Sequence, residues 1–275
     1  MESILDAEFD NELKLLLEAI HVKYSYDFMG YDEASIKRRV FQAMNRMECR
    51  TVAAVQEKIL QSSESFYDLL QYLTVPVSEL FRDPSYFLAF RESVVPLLKT
   101  YPSLKIWVAG CSTGEEVYSL AIILEEEKLL DRTFLYATDI NPRSLEKAEK
   151  GSFDLKEIQI SNQNYIKSGG KFHLSNYYTE DLKTGKFNLL LKKNVTFANH
   201  NLVTDSVFSE MQFISCRNVL IYFDHKLQKR ACGLFHESLC RKGFLGLGAK
   251  ETLLFSEHAM YFDPFMKKDR IFQKK

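Results

Sequence analysis

The chain has 275 residues, 46% hydrophobic and 27% charged, with 36 Lys plus Arg against 37 Asp plus Glu and a net charge of −1. That composition excludes a disordered chain and allows one large domain or two unequal ones. Near-zero charge gives no global pull toward nucleic acid or an anionic membrane.

Residues 1–75 contain a single glycine, Gly30, and no proline, and they predict helices. DNELKLLLEAI places its apolar residues on one helical face. ASIKRRVFQAMNRMECR does the same with Ile36, Val40, Met44 and Met47, and a further short helix follows Ser63. TVPVSELFRDP, Thr74 to Pro84, predicts an extended connector, and Asp83-Pro84 an N-cap with proline at the first helical position, opening a helix to about Thr100.

From Leu104 strands and helices alternate. LKIWVAG predicts a buried strand, EEVYSLAIILEEEKLL a helix, TFLYATDI a second strand, and PRSLEKAEKG a second helix closed by Gly151. MQFISCRNVLIYF holds a later strand, His225 to Gly243 predicts a helix ending at glycine, and GFLGLGAKE and DRIFQK predict closing strands. The alternation implies a mostly parallel, doubly wound sheet. Residues 165–198, with Gly169-Gly170 and Gly185 between short β-rich runs, break the pattern and predict a small antiparallel insertion.

Five cysteines (Cys49, Cys111, Cys216, Cys232 and Cys240) and six histidines lack metal-ligand spacing, so packed, reduced thiols and no metal are expected. No apolar run approaches the roughly 20 residues of a membrane helix. MESILDAEFDNEL is acidic and amphipathic, unlike a secretory leader, so a cytoplasmic location is expected.

The chemistry gathers at the strand ends. Strand one runs into GCSTGEE, Gly110 to Glu116, and strand two ends at Asp139. A carboxylate there suits two ribose hydroxyls, with a cap for the following helix as the structural alternative. The loop lacks the Lys-Ser/Thr that grips a triphosphate, and Glu115 and Glu116 would repel a pyrophosphate. A cationic nucleoside without phosphate fits, namely S-adenosylmethionine. The alternative is that both glutamates complement the helix dipole.

LFRDPSYF, AGCSTGEEVYSLA, ATDINPRSLEKAEKGSF, NHNLV and CRNVLIYFD follow one another in the order and spacing of the CheR-type chemotaxis receptor methyltransferases. The chain resembles that family from about residue 25 to its end. The resemblance implies an α/β protein: a small all-helical, substrate-docking N-terminal domain (1–75), then a class I methyltransferase domain (76–275) carrying the β-insertion. The implied reaction is methylation of glutamate side chains on cytoplasmic helices of chemoreceptors, with S-adenosylhomocysteine as by-product.

By the same resemblance, Arg82 orients the substrate carboxylate beside the methyl group and Tyr222 is an active-site tyrosine. Ser78, Arg82, Gly110, Glu116, Asp139, Asn201, Leu202, Arg217 and Asn218 contact the cofactor. Pro76 replaces an asparagine that contacts cofactor in other members, and Cys111 stands where alanine is common. Some members also hold a receptor C-terminal peptide on the β-insertion. Methyl transfer to another protein or small-molecule carboxylate, and a non-catalytic cofactor-sensing adaptor, stay open. A monomer is expected.

Arg39, Arg46 and Arg50, spaced by seven and four, predict one helical stripe facing an acidic partner, here the glutamate-rich receptor. A solvated charged face is the alternative.

Overall fold

The computed structural model describes residues 2–74, 76–253 and 256–275, with side chains from residue 8 onward. It divides into two compact units: Met1–Val75 with Ile221–Gln228, and Pro76–Leu220 with Lys229–Lys275.

The first unit contains α1 (Glu2–Tyr24), α2 (Glu33–Arg46), α3 (Val52–Gln61) and α4 (Ser63–Thr74). Leu16, Ile20, Val40, Val55, Ile59 and Phe66 recur at helical spacing and are buried completely. Asp32 caps α2 by accepting from Ser35 N–H at 2.8 Å. Thr51 caps α3, and Glu12 of α1 also accepts from the first N–H groups of α3, at 3.0 and 3.2 Å. Residues 221–228 join this unit through an antiparallel bridge between Tyr31 and Phe223 and through Asp224 N–H to Gly30 O.

The second unit opens with α5 (Pro84–Ala89), a π turn (Phe90–Val94) and α6 (Val95–Leu98). There follow β1 (Leu104–Ala109), α7 (Glu115–Glu126), β2 (Thr133–Asp139), α8 (Pro142–Lys150), β3 (Ser152–Asp154), α9 (Leu155–Lys167), β4 (Tyr178–Asp181), β5 (Thr184–Phe187), β6 (Val195–Asn199) and β7 (Met211–Cys216). α10 (His225–Ser238), β8 (Leu239–Leu247), β9 (Phe262–Met266) and β10 (Ile271–Lys274) complete the chain. The main sheet has the order β6-β2-β1-β7-β8-β10-β9, parallel from β6 to β8 and antiparallel at β10. The carboxyl ends of β6, β2, β1 and β7 therefore lie side by side. Trp107 in β1, the chain's one tryptophan, is fully buried. It donates to Thr138 Oγ1 at 2.8 Å and meets His200, Phe208 and Phe235 edge-on.

Three expectations are corrected. The helix expected from Asp83 to Thr100 changes register: Val95 N–H reaches back five residues to Phe90 O immediately before Pro96, which has no N–H to give. The helix expected to run to Gly243 ends at Ser238, and Gly243 lies inside β8. There the pairing with β7 slips between Met211 and Phe213, and a Cβ on Gly243 would stand 2.9 Å from Cys240 O. The antiparallel insertion begins earlier than residue 165, because β3 pairs with β5 in the sheet β3-β5-β4. It also ends earlier than 198, because β6 pairs with β2 in the main sheet.

A buried acid ties the insertion to the core. Glu126, at the end of α7, accepts from Arg91 Nη2 at 2.5 Å, Tyr177 at 2.9 Å and Lys171 N–H at 3.2 Å, and also from Tyr165. The adjacent Glu127 pairs with Arg91 (3.1 Å), Lys99 (2.8 Å) and Lys171 (2.7 Å). Burial alone would raise the Glu127 carboxyl, but these cations override it and hold it at about 2, below its ordinary 4.5. The stabilisation is thus present above pH 4.5 and is lost as the pH falls through 2. With screening at the two half-exposed lysines it amounts to roughly 2 kcal/mol. Urea unfolding of wild type and Glu127→Gln between pH 6 and 2 should show a stability gap of that order at pH 6 that closes on acidification.

Candidate functional site

The strand order places three loops together: Gly110–Gly114 after β1, Asp139–Asn141 after β2, and Arg217–Val219 after β7. Gly110 and Cys111 N–H both donate to Thr138 O at 2.8 Å, locking the first loop to β2. Gly110 has φ +75, and an added Cβ would lie 2.4 Å from Val219 Cγ2, so no side chain fits there.

Asp139 stands between the first two loops. Its Oδ2 accepts from Ser112 N–H at 2.8 Å and its Oδ1 from Asn141 N–H at 2.9 Å. The cap of α8 is Asn141, so Asp139 is not the helix cap. Burial raises the Asp139 carboxyl above its ordinary 3.8, against the opposing pull of those backbone N–H groups. Each oxygen keeps a lone pair for a further donor.

Arg217 is the centre of the third loop, its side chain 1% exposed. It donates from Nη1 to Glu116 (2.9 Å) and from Nη2 to Asp83 (2.7 Å) and Arg82 O (2.8 Å). Its guanidinium lies 4.1 Å from the Tyr86 ring centre. Burial lowers its pKa, but Glu116, Tyr86 and Asp83 more than offset this and hold it above the usual value. Ser215 Oγ donates to Glu116 at 2.6 Å and accepts from the Tyr86 hydroxyl at 2.7 Å. Asp83 sits at φ +58 with no capping bond, because its carboxylate goes to Arg217 and not to the start of α5; the expected N-cap is corrected accordingly.

The two glutamates of the α7 first turn part company. Glu116 meets a cation, that of Arg217. Glu115 is 8% exposed, accepts from Thr113 Oγ1 at 2.7 Å and has its pKa raised by burial.

Asn218, at φ +60, is held by Glu251, which also takes the N–H groups of Val219 and Gly248, all within 3.0 Å. Glu251, Asp83, Tyr86 and Ser215 are site-forming residues the sequence reading missed. Of these, Tyr86 and Asp83 were within reach, since both lie in RDPSYF beside Arg82. Asn201 and Leu202 lie in the turn after β6, where the Asn201 side-chain oxygen accepts from Val203 N–H at 2.9 Å. Ser78 lines a cavity of about 210 Å³ with Phe153, Glu157 and Ile158. No hydrogen bond among the described residues links it to the strand ends.

Tyr222 and the three arginines of the expected docking stripe all lie in the first unit. Arg39 is corrected: it is 2% exposed, donates to Leu73 O at 2.6 Å and stacks on Tyr222 with its guanidinium 4.3 Å from the ring centre. It falls on the α2 face that also buries Ile36, Val40 and Ala43. Helix α2 ends at Arg46, so Arg50 is not on the same stripe, although both Arg46 and Arg50 are exposed.

The donor set suits S-adenosylmethionine. Asp139 offers two ordered acceptors, Gly110 leaves the strand end bare, and no lysine stands at the loop for a phosphate. Ser112 Oγ and Arg217 Nε are buried without a partner among the described residues, polar atoms in want of one.

The family model for the CheR methyltransferase, SAM binding domain, matches residues 76–268. The chain belongs to the CheR methyltransferase family, with S-adenosylmethionine as its cofactor and the class I methyltransferase fold. It is 56% identical to "Putative methyltransferase Cher3" of Pseudomonas putida over 96% of this chain and 97% of that one. It is 28% identical to the chemotaxis protein methyltransferase of Listeria monocytogenes, over 83% and 85% of the two chains. It is 26% identical to "Probable biofilm formation methyltransferase WspC" of Pseudomonas aeruginosa, over 85% of this chain and 55% of that one.

Removing one partner of a buried ion pair typically costs 3–5 kcal/mol. Arg217→Met should therefore destabilise the chain by about 3 kcal/mol and abolish S-adenosylhomocysteine binding. Arg217→Lys, without the planar fork, should bind at least tenfold more weakly. Thermal unfolding and calorimetry check both.

Proposed function

We propose that the protein transfers the methyl group of S-adenosylmethionine to glutamate side-chain carboxylates on the cytoplasmic helices of chemoreceptors, forming methyl esters. The observation that carries this reading is the contrast between two arginines. Arg217 is buried and ion-paired to Glu116 and Asp83, whereas the half-buried Arg82 guanidinium forms no ion pair among the described residues. Its backbone is fixed all the same, since its carbonyl accepts from Arg217 and the next residue is Asp83. An uncommitted guanidinium on a fixed backbone is a fork for a carboxylate.

The bound cofactor supplies a methyl carbon activated by a positively charged sulfur. The chain's part is positioning. A glutamate with its usual pKa near 4.3 is ionised at neutral pH, so no general base is required. Arg82 holds one carboxylate oxygen and aligns the other for in-line attack. Asp139 takes the ribose hydroxyls, while Gly110, Ser112, Asn201, Leu202, Arg217 and Asn218 line the cofactor site; the family motifs assign Ser78 to it and Tyr222 to the active site as its tyrosine. Glu116 acts by holding Arg217. Arg46 and Arg50, exposed in the helical unit, attract the acidic receptor helix. A cytoplasmic monomer fits this reading, and among the described residues no helix is long and apolar enough to cross a membrane. The likeness to a biofilm-formation methyltransferase favours, as a second reading, a receptor outside chemotaxis as substrate.

Methyl-labelled cofactor with receptor-containing membranes should give base-labile label released as methanol. Arg82→Ala should lower it by about a hundredfold or more while S-adenosylhomocysteine still binds. No base-labile label from wild type would overturn the reading. Asp139→Asn should weaken cofactor binding by about tenfold. In wild type, affinity should fall on acidification at a pH above 3.8, as the raised Asp139 carboxyl protonates and loses an acceptor; the variant should lack that fall. Charge reversal at Arg46 and Arg50 should reduce receptor methylation and leave cofactor affinity unchanged.

A further inference from the structure

The helical unit carries a groove of about 810 Å³. One wall is a single face of α1, residues 10, 13, 14, 17 and 18; the others are residues 28, 29 and 31–33, Ile36 in the first turn of α2, and residues 221, 223–225 and 228. Its floor is apolar: Leu13, Leu17, Phe28, Ile36 and Phe223 are each less than 9% exposed. Its lip is apolar too, with Met29 50% and Ile221 38% exposed.

The rim is acidic. Asp10, Glu18, Asp32, Glu33 and Asp224 line it, against Lys14 as its one fixed cation among the lining residues. Lys37, beside the groove, pairs with Asp10 at 2.7 Å and Glu33 at 2.9 Å and so compensates part of that charge. Asp32 and Asp224 accept N–H groups from Ser35 and Leu227, which orients the carboxylates without neutralising them. A net negative rim around an apolar floor disfavours an acidic helix. It suits a segment with apolar residues along one side and cations flanking them. The floor residues of α1 lie one turn apart, the spacing at which a helix presents its own i, i+3, i+4 and i+7 side chains.

We infer that this groove docks an amphipathic helix of a protein partner whose apolar stripe is flanked by Lys or Arg. The site is distinct from the exposed Arg46 and Arg50, which attract the opposite charge. One unit thus offers an acidic seat and a basic one to different stretches of its partners.

The test uses the full chain and a fluorescein-labelled peptide of about 18 residues, built of Leu and Lys with Leu at i, i+3, i+4 and i+7. Comparators are the same pattern in Leu and Glu, and a scrambled Leu/Lys peptide. The patterned Leu/Lys peptide should bind at least about tenfold tighter than either comparator, and Glu18→Lys with Met29→Lys should lose about tenfold. The double variant should keep wild-type unfolding temperature, cofactor affinity and methyl transfer, so failure here is separate from failure of the proposed reaction. Equal binding of all three peptides, preference for the Leu/Glu peptide, or full binding by the variant would overturn the inference. So would sedimentation velocity showing a dimer that the variant dissociates, because the occupant would then be a second copy.

Discussion

The site depends on one buried cation. Stripping Arg217 of water is costly, and the structure answers with two carboxylates, a carbonyl and an aromatic face. Meeting that demand fixes much else. It draws Asp83 into the left-handed region, sets the backbone of Arg82, spends Glu116 of α7 and recruits Ser215 and Tyr86 behind it. The next residues, Asn218 and Val219, are clamped by Glu251, and Val219 closes over Gly110. From Gly110 the chain of contacts passes through Thr138 to the base of Asp139. Loops from three strands thus share one electrostatic solution.

What the sequence made legible follows from periodicity and punctuation. The helices of the first 74 residues, β1 and β2 with their glycine loop, and the Asn141-Pro142 start of α8 are local signals, and the structure repeats them. Four of the errors share a cause, since each depended on a partner far away in sequence. Asp83 before a proline is an N-cap by every local rule, but Arg217, 134 residues later, competes for its carboxylate. Arg39 lies at a charged position beside Arg38 and is buried because Tyr222 and Leu73 O receive it. Gly243 does mark a break, but in strand pairing and not in a helix. Glu251 sits in a loop with no motif of its own, and its role exists only once β7 and β8 lie side by side.

Acid is used twice in this fold for attachment. Glu126, its side chain wholly buried, gathers two tyrosines, an arginine and a backbone N–H from the insertion and the segment after α5. Glu251 does the same for two loops. In both cases a carboxylate with several lone pairs satisfies donors that no regular element reaches. All five cysteines are free and buried, as small apolar side chains in a core are.

Trp107 gives the chain a built-in optical reporter. Its indole N–H is bonded to Thr138, the residue whose carbonyl receives the loop amides of Gly110 and Cys111, and its ring is boxed in by His200, Phe208 and Phe235. Emission from a lone indole in that position reads the polarity and rigidity of the strand ends without a label. Because His200 leads directly into Asn201 and Leu202, rearrangement on the β6 side reaches the same fluorophore as rearrangement of the glycine loop.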